Sequence, residues 1–271
     1  MFEFCSLFSG SSGNSLFVQT EKTKLLVDCG ESAKKITNSL SDIDINIEDI
    51  DAILVTHEHI DHVKSLGTLS KKYNIPVYAN IETLNAMPEQ VNKIKAENIH
   101  LFDFSKDFNI KDLHIHAFSI PHDAANPCAF NIYKGNKKMS IATDIGHVTP
   151  EILKNLEKSS FLLLEANYDP NILKCSPYPY HLKERISGPY GHLSNNAAGE
   201  TVSHLMNSGL QTVMLGHLSR ENNFPELAYK TVMEELIDNK ISEKDLKLSV
   251  ATRFDHTPII NIKWKESLWY I

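Results

Sequence analysis

The chain has 271 residues, 42% of them hydrophobic, which suffices for one large domain or two small ones with a substantial core. Its 27 basic and 34 acidic residues leave a net charge of −7, the wrong sign for a protein that grips nucleic acid through bulk charge, so any such contact must be local. No stretch approaches the roughly 18–20 apolar residues of a membrane span. The start, Met1-Phe2-Glu3-Phe4-Cys5, has neither the basic nor the apolar region of an export signal, and a cytoplasmic protein is expected. Cys5, Cys29, Cys128 and Cys175 show no CxxC spacing, which favours buried or free thiols over disulfides or a structural zinc site.

In chain order, apolar runs at 4–8 and 16–18 flank Ser9-Gly10-Ser11-Ser12-Gly13-Asn14-Ser15. This segment reads either as a hairpin turn, which Gly and Asn tolerate, or as a loop whose backbone N–H groups and Asn14 amide orient a substrate or support a metal ligand from outside. Leu25-Leu26-Val27 reads as a strand ending at Asp28, before a helix-like stretch at 31–40. The run Ala52-Ile53-Leu54-Val55 then leads into Thr56-His57-Glu58-His59-Ile60-Asp61-His62. Imidazole and carboxylate are the ligands zinc prefers, and His57, His59, Asp61 and His62 crowded beyond a strand end would be costly unless a metal compensated them. In such a turn the four are open to division between two neighbouring ions. Further strand-like runs at 118–120, 139–143, 161–164 and 212–216 alternate with helix-like stretches, which predicts an α/β class. No linker, repeat or low-complexity stretch divides the chain, so one domain over 1–271 is expected.

The pattern His-x-His-x-Asp-His after a strand resembles the signature of the metallo-β-lactamase-fold hydrolases. That resemblance implies a four-layer αβ/βα sandwich, two mixed sheets face to face with helices outside and metals at one sheet edge. It also implies three more ligands. A histidine after a mid-chain strand corresponds to His122 in Phe118-Ser119-Ile120-Pro121-His122, a bridging aspartate to Asp144 in Met139-Ser140-Ile141-Ala142-Thr143-Asp144, and a late histidine to His217 in Thr212-Val213-Met214-Leu215-Gly216-His217. Carried over, the resemblance puts His57, His59 and His122 on one divalent ion and Asp61, His62 and His217 on the second, with Asp144 between them. Two ions about 3.5–4 Å apart share a water and lower its pKa, so a hydroxide nucleophile forms near neutral pH, oriented by Asp61. Zinc is favoured over manganese or iron by the histidine-rich set. Asp28 matches an early aspartate of the family and is expected to hydrogen-bond the metal-site loop.

The run Lys183-Glu184-Arg185-Ile186-Ser187-Gly188-Pro189-Tyr190-Gly191-His192-Leu193-Ser194-Asn195 reads as a loop before a helix capped by Ser194 or Asn195. Lys183, Arg185 and His192 suit phosphate contact, and His192 is placed to protonate a leaving alkoxide. Together with 9–15 and the run Gly216-His217-Leu218-Ser219-Arg220-Glu221-Asn222-Asn223, it resembles the YycJ/WalJ branch, whose members are described as 5′-to-3′ exodeoxyribonucleases. The branch implies DNA as the partner, with Asn14, Lys183, Arg185, His192 and Arg220 as substrate contacts and Asp61 and His192 as catalytic residues. The short span from Asp144 to His217 leaves no room for the inserted helical domain of β-CASP nucleases. A small-molecule hydrolase acting on a thioester, lactone or cyclic phosphodiester is the alternative, since one fold hosts many reactions. His147 matches no family ligand and is expected at the surface, and Glu165-Ala166-Asn167-Tyr168-Asp169 is a polar segment that lines a cleft or serves no function.

Overall fold

The computed structural model describes residues 1–89, 93–242 and 244–263. The first sheet contains β1 (Phe2–Phe8), β2 (Ser15–Thr20), β3 (Lys24–Val27), β4 (Ala52–Leu54), β5 (Val77–Ala79) and β6 (Ile99–Leu101). The second contains β7 (Phe108–Ile110), β8 (Leu113–Ser119), β9 (Cys128–Lys134), β10 (Lys137–Ala142), β11 (Phe161–Glu165), β12 (Thr212–Gly216) and β13 (Lys247–Val250). The last strand, β14 (Ile260–Asn261), returns to the first sheet beside β1.

Both sheets follow one plan. An antiparallel meander, β14-β1-β2-β3 in one and β7-β8-β9-β10 in the other, continues into parallel strands, β4-β5-β6 and β11-β12-β13. Parallel strands buried on both faces need apolar residues at every position, which explains continuous runs such as Phe161-Leu162-Leu163-Leu164. Alternate residues sort to opposite faces. Phe161 and Leu163 join Phe4, Val18, Leu25, Val27 and Leu54 between the sheets, where the Phe4 and Phe161 rings lie 4.6 Å apart. Leu162 and Leu164 face outward, onto the helices Pro150–Leu156, Asn195–Leu205 and Pro225–Asp238. Leu26 and Ile53 likewise pack beneath the helices Ala33–Asp42 and Leu66–Tyr73 on the other outer face. The expected four-layer sandwich is the observed fold.

The helix expected at 31–40 starts at Ala33, because the Ser32 side chain accepts from Lys35 N and caps it there. Ser194 caps the helix Asn195–Leu205 in the same way, through Ala197 N. The stretch 183–195 departs from the expected loop. Its first part is helical, Tyr180–Ser187, and only 188–194 form the connection.

One glycine is set by close packing. A Cβ on Gly30 would lie 1.6 Å from the Asp61 carbonyl oxygen and 2.6 Å from Asn14 N, where three backbone segments cross. Nothing flexible is available to yield, so Gly30→Ala should cost about 3 kcal/mol or more, the upper end for overpacking. Denaturant unfolding checks this, and a stability within 1 kcal/mol of the parent, on the order of measurement scatter, would show that the segments separate freely.

Candidate metal centre

The carboxyl ends of the parallel strands meet at one edge of the sandwich. Asp28 follows β3, Asp144 lies just past β10, Glu165 ends β11 and His217 follows β12. Asp28, Asp144 and His217 leave their strands in left-handed conformations, with φ of 63°, 61° and 55°. Such backbone costs about 1–3 kcal/mol and persists where its surroundings over-determine it. At His217 the restraint is visible. Its N–H donates to Ser9 Oγ at 2.9 Å, and its carbonyl accepts from Asn167 Nδ2 at 2.8 Å.

Asp61 and His62 lie on a one-turn helix, Ile60–Val63, which is the form taken by the turn expected past the strand. That turn is held by the crossing of three backbone segments around Gly30. Cys29 N donates to His62 O at 2.7 Å and Asn14 N to Asp61 O at 2.8 Å.

Four donor groups result among the described residues. Two are His57 with His62 and Asp144, and Asp144 with Glu165, His192 and His217, and the other two match the expected division of ligands. His57, His59 and His122 bring one ligand atom each within 4.8 Å of one another, and so do Asp61, His62 and His217. Each imidazole is oriented by its other nitrogen. His57 Nδ1 meets Thr56 Oγ1 at 3.0 Å, His59 Nε2 meets Asp123 O at 3.2 Å, and His122 Nδ1 meets Gly191 O at 3.0 Å. In the second set, His62 Nδ1 donates to Asp28 Oδ2 and His217 Nδ1 to Glu165 Oε1, both at 2.8 Å. Asp28 also accepts from Thr56 N and Thr56 Oγ1, the outer role expected for it. Asp144 spans the sets, with Oδ2 3.3 Å from His62 Nε2 and Oδ1 3.7 Å from His122 Nε2.

Three atoms at the focus are buried with no hydrogen-bond partner among the described residues: His57 Nε2, Asp144 Oδ2 and His217 Nε2. Leaving buried polar atoms unpaired costs about 1–3 kcal/mol each, so something else must satisfy them. The electrostatics name its sign. Burial alone would lower the pKa of His62, but the carboxylates of Asp144, Asp28 and Asp61 push it up to about 9. Burial is likewise outweighed at His217, where Asp144, Asp61 and Glu165 hold the imidazole well above its usual range. His57 is driven the other way by burial and by its neighbours His62, His122, His59 and His217. A field that favours positive charge, lined by inward-facing imidazole nitrogens and carboxylate oxygens, fits divalent metal ions.

Such a site at the edge of a two-sheet sandwich defines a class, and the family comparison agrees. Residues 23–218 match the beta-lactamase superfamily domain, and the chain belongs to that superfamily. Within it the chain falls in the WalJ/YycJ branch. It is 38% identical over 260 residues to exodeoxyribonuclease WalJ of Streptococcus pneumoniae, covering 95% of each chain. To exodeoxyribonuclease YycJ of Bacillus anthracis it is 36% identical over 233 residues, 86% of this chain and 88% of that one. Among solved structures, Zn(2+)-bound PqqB from Methylobacterium extorquens shares the fold, with a TM-score of 0.69 at 15% identity over 94% of this chain and 99% of that one.

The expected substrate contacts divide. Asn14 is buried, takes Gly10 N on Oδ1 and sets its amide nitrogen 3.0 Å from His62 Nε2, the nitrogen that faces Asp61 and Asp144, so it contacts a donor of the second set directly. Lys183 points away, its ammonium donating to Lys174 O at 2.7 Å. The helix beginning at Tyr180 separates it from Arg185, whose Nε donates to Asp123 Oδ2 at 2.6 Å near the first donor set. Arg220 is exposed beside Glu221. His147 is exposed as expected, with Nδ1 2.9 Å from Pro189 O. His192 reaches the centre, its ring 5.2 Å from that of His122 and 5.3 Å from that of His217.

Glu165, which the sequence presents as part of a polar segment, has a definite place in the site. It is fully buried, receives His192 Nδ1 and His217 Nδ1 on Oε1 at 2.8 Å each, and receives Ile145 N and Leu193 N on Oε2. Burial opposes its charge, but His192, His217 and these bonds hold its pKa below the usual carboxylate range. The available signal was an acidic residue closing an otherwise apolar parallel strand, at the end where site residues collect.

Proposed function

We propose that this chain is a dinuclear metal-dependent phosphodiester hydrolase that acts on DNA ends as a 5′-to-3′ exodeoxyribonuclease. The observation that carries the reading is the pair of three-donor sets joined by Asp144. His57, His59 and His122 would hold one ion, and Asp61, His62 and His217 the other, zinc being favoured by the imidazole-rich set. When bound, divalent ions supply Lewis-acid activation of water and of a phosphoryl oxygen near neutral pH.

The chain's own residues do the rest. His192 spends Nδ1 on Glu165, which leaves Nε2 for a proton passed to the departing 3′-oxygen. Asp61 lies at the open side of the second set, with Oδ2 3.7 Å from both His62 Nε2 and His217 Nε2, where a carboxylate orients an attacking water. The two exodeoxyribonuclease relatives, matched over most of their length, favour DNA over a thioester, lactone or cyclic phosphodiester. No described helix is long and apolar enough to cross a membrane, and a DNA substrate accords with action in the cytoplasm. Ligands from residue 57 to 217 drawn from both sheets support reading the chain as one domain.

The decisive assay is hydrolysis of end-labelled single- and double-stranded DNA, with and without a 5′-phosphate, under zinc and under manganese. Release of labelled mononucleotide from the 5′ end is expected, and intact DNA under both metals would reject the reading. Arg185→Ala should weaken DNA hydrolysis strongly and spare a small uncharged ester. Hydrogen bonds to charged groups contribute about 1.5–3 kcal/mol, or roughly ten- to more than a hundredfold. Equal loss on both substrates would make Arg185 structural.

A further inference from the structure

Asp123, one residue beyond His122, joins four parts of the site. Its N–H donates to Tyr190 O at 3.1 Å, its carbonyl lies 3.2 Å from His59 Nε2, and its carboxylate Oδ1 lies 3.4 Å from His122 Nε2. The other oxygen, Oδ2, takes the Arg185 Nε at 2.6 Å. A residue pinned at its amide and at its carbonyl holds its carboxylate in one place, and so holds the guanidinium.

Arg185 is more than half exposed, and its bond to Asp123, which itself touches His59 and His122, places the guanidinium beside the first donor set. A guanidinium has five N–H donors in a rigid fork. Among the described residues the hydrogen bond of Arg185 runs through Nε, which leaves both terminal amino groups to face an anion.

We propose that Asp123 is a positioning residue for phosphate recognition, orienting Arg185 so that its two terminal amino groups clasp a phosphate of the strand at the metal centre. This rests on the phosphodiesterase reading. It predicts something that reading does not: an acidic residue beside a phosphate site that strengthens anion binding. A carboxylate acting by charge alone would repel the phosphate, and its neutralisation would tighten binding. Positioning gives the opposite sign, because freeing the arginine side chain restores rotamer freedom that binding must then remove.

The test uses the metal-loaded protein and its Asp123→Asn, Arg185→Ala, Arg185→Lys and doubly substituted Asp123→Asn/Arg185→Ala forms. Inorganic phosphate affinity is read by calorimetry, oligodeoxynucleotide KM and kcat by cleavage, and metal content by elemental analysis. Asp123→Asn should weaken phosphate about tenfold, with the loss on DNA falling mainly on KM, as expected for one charge-assisted bond. Arg185→Lys should behave like Arg185→Ala, since lysine has one ammonium and cannot give a donor to Asp123 and at the same time present two terminal amino groups to phosphate. In the Arg185→Ala background Asp123→Asn should add nothing further. Unchanged or tighter phosphate binding in Asp123→Asn, additive losses in the double variant, or departure of a metal ion would each overturn the assignment. Phosphate affinity is read without turnover. A parent protein that binds phosphate through this pair yet leaves DNA intact would reject the nuclease reading and spare the inference.

Discussion

Asp61→Ala should reduce hydrolysis to background and bring the metal content toward one ion per chain, while the thermal transition stays close to that of the parent. The side chain is partly exposed on the one-turn helix Ile60–Val63, and what holds that turn is the backbone contact with Asn14, which alanine keeps. His57, His59, His122 and Asp144 remain for the first ion. His62→Ala is a poorer probe, because that ring is fully buried on Asp28 and its loss would also destabilise the fold. Asp28→Asn supplies the contrast in magnitude. Among the described residues the Asp28 carboxylate bonds to His62 and Thr56, and losing an outer partner of a metal ligand costs about 10–100-fold in affinity or activity. The Asp61→Ala defect should exceed that. Elemental analysis, thermal unfolding and turnover on one preparation check the set. Retention of two ions and full activity in Asp61→Ala would mean that the second donor set is wrongly assigned.

His192→Ala should depress DNA hydrolysis by about a hundredfold or more, the usual contribution of a general acid, yet slow a p-nitrophenyl phosphodiester only slightly. A nucleoside 3′-alkoxide is a poor leaving group that needs a proton, whereas p-nitrophenolate departs without one. The geometry makes this test sharper than the residue type does. Glu165 holds His192 Nδ1 and His217 Nδ1 on the same oxygen, so Glu165→Gln should disturb both proton donation and the second donor set. That variant is expected to lose rate on both substrates together, and to lose metal. His192→Ala should keep its metal and lose rate on DNA selectively. A parallel fall on the two substrates at constant metal content would remove His192 from the proton-donor role.

Much of the candidate site was legible because it is local. His57, His59, Asp61 and His62 lie within six residues after an apolar strand, and no packing information is needed to see that such a group invites a metal. His122, Asp144 and His217 were legible for a different reason. Each follows a strand-like run, and the strand ends of an α/β sheet are where site residues collect, so resemblance to a known pattern sufficed to choose them. The α/β class followed from apolar runs alternating with helix-like stretches, whereas the four-layer sandwich came from the resemblance to a known family.

The amino-acid sequence by itself carried the imidazole and carboxylate donors, their order along the chain and the α/β class, and resemblance to a known family added the two-sheet sandwich. Tertiary structure alone decided which of the remaining polar side chains face them. Lys183 and Arg185 differ by two residues and looked alike, yet a helix from Tyr180 turns one toward Lys174 and the other toward Asp123. Asn14 read as orienting either a substrate or a metal ligand, and the crossing of three backbones at Gly30 buries it against His62 Nε2. Glu165 and Asp123 acquire their partners only when strand ends from both sheets and the segment at 185–192 converge. The physical reason is that a hydrogen bond between residues 62 positions apart, such as Arg185 to Asp123, depends on sheet packing and helix phase, and neither is encoded in the spacing of either residue.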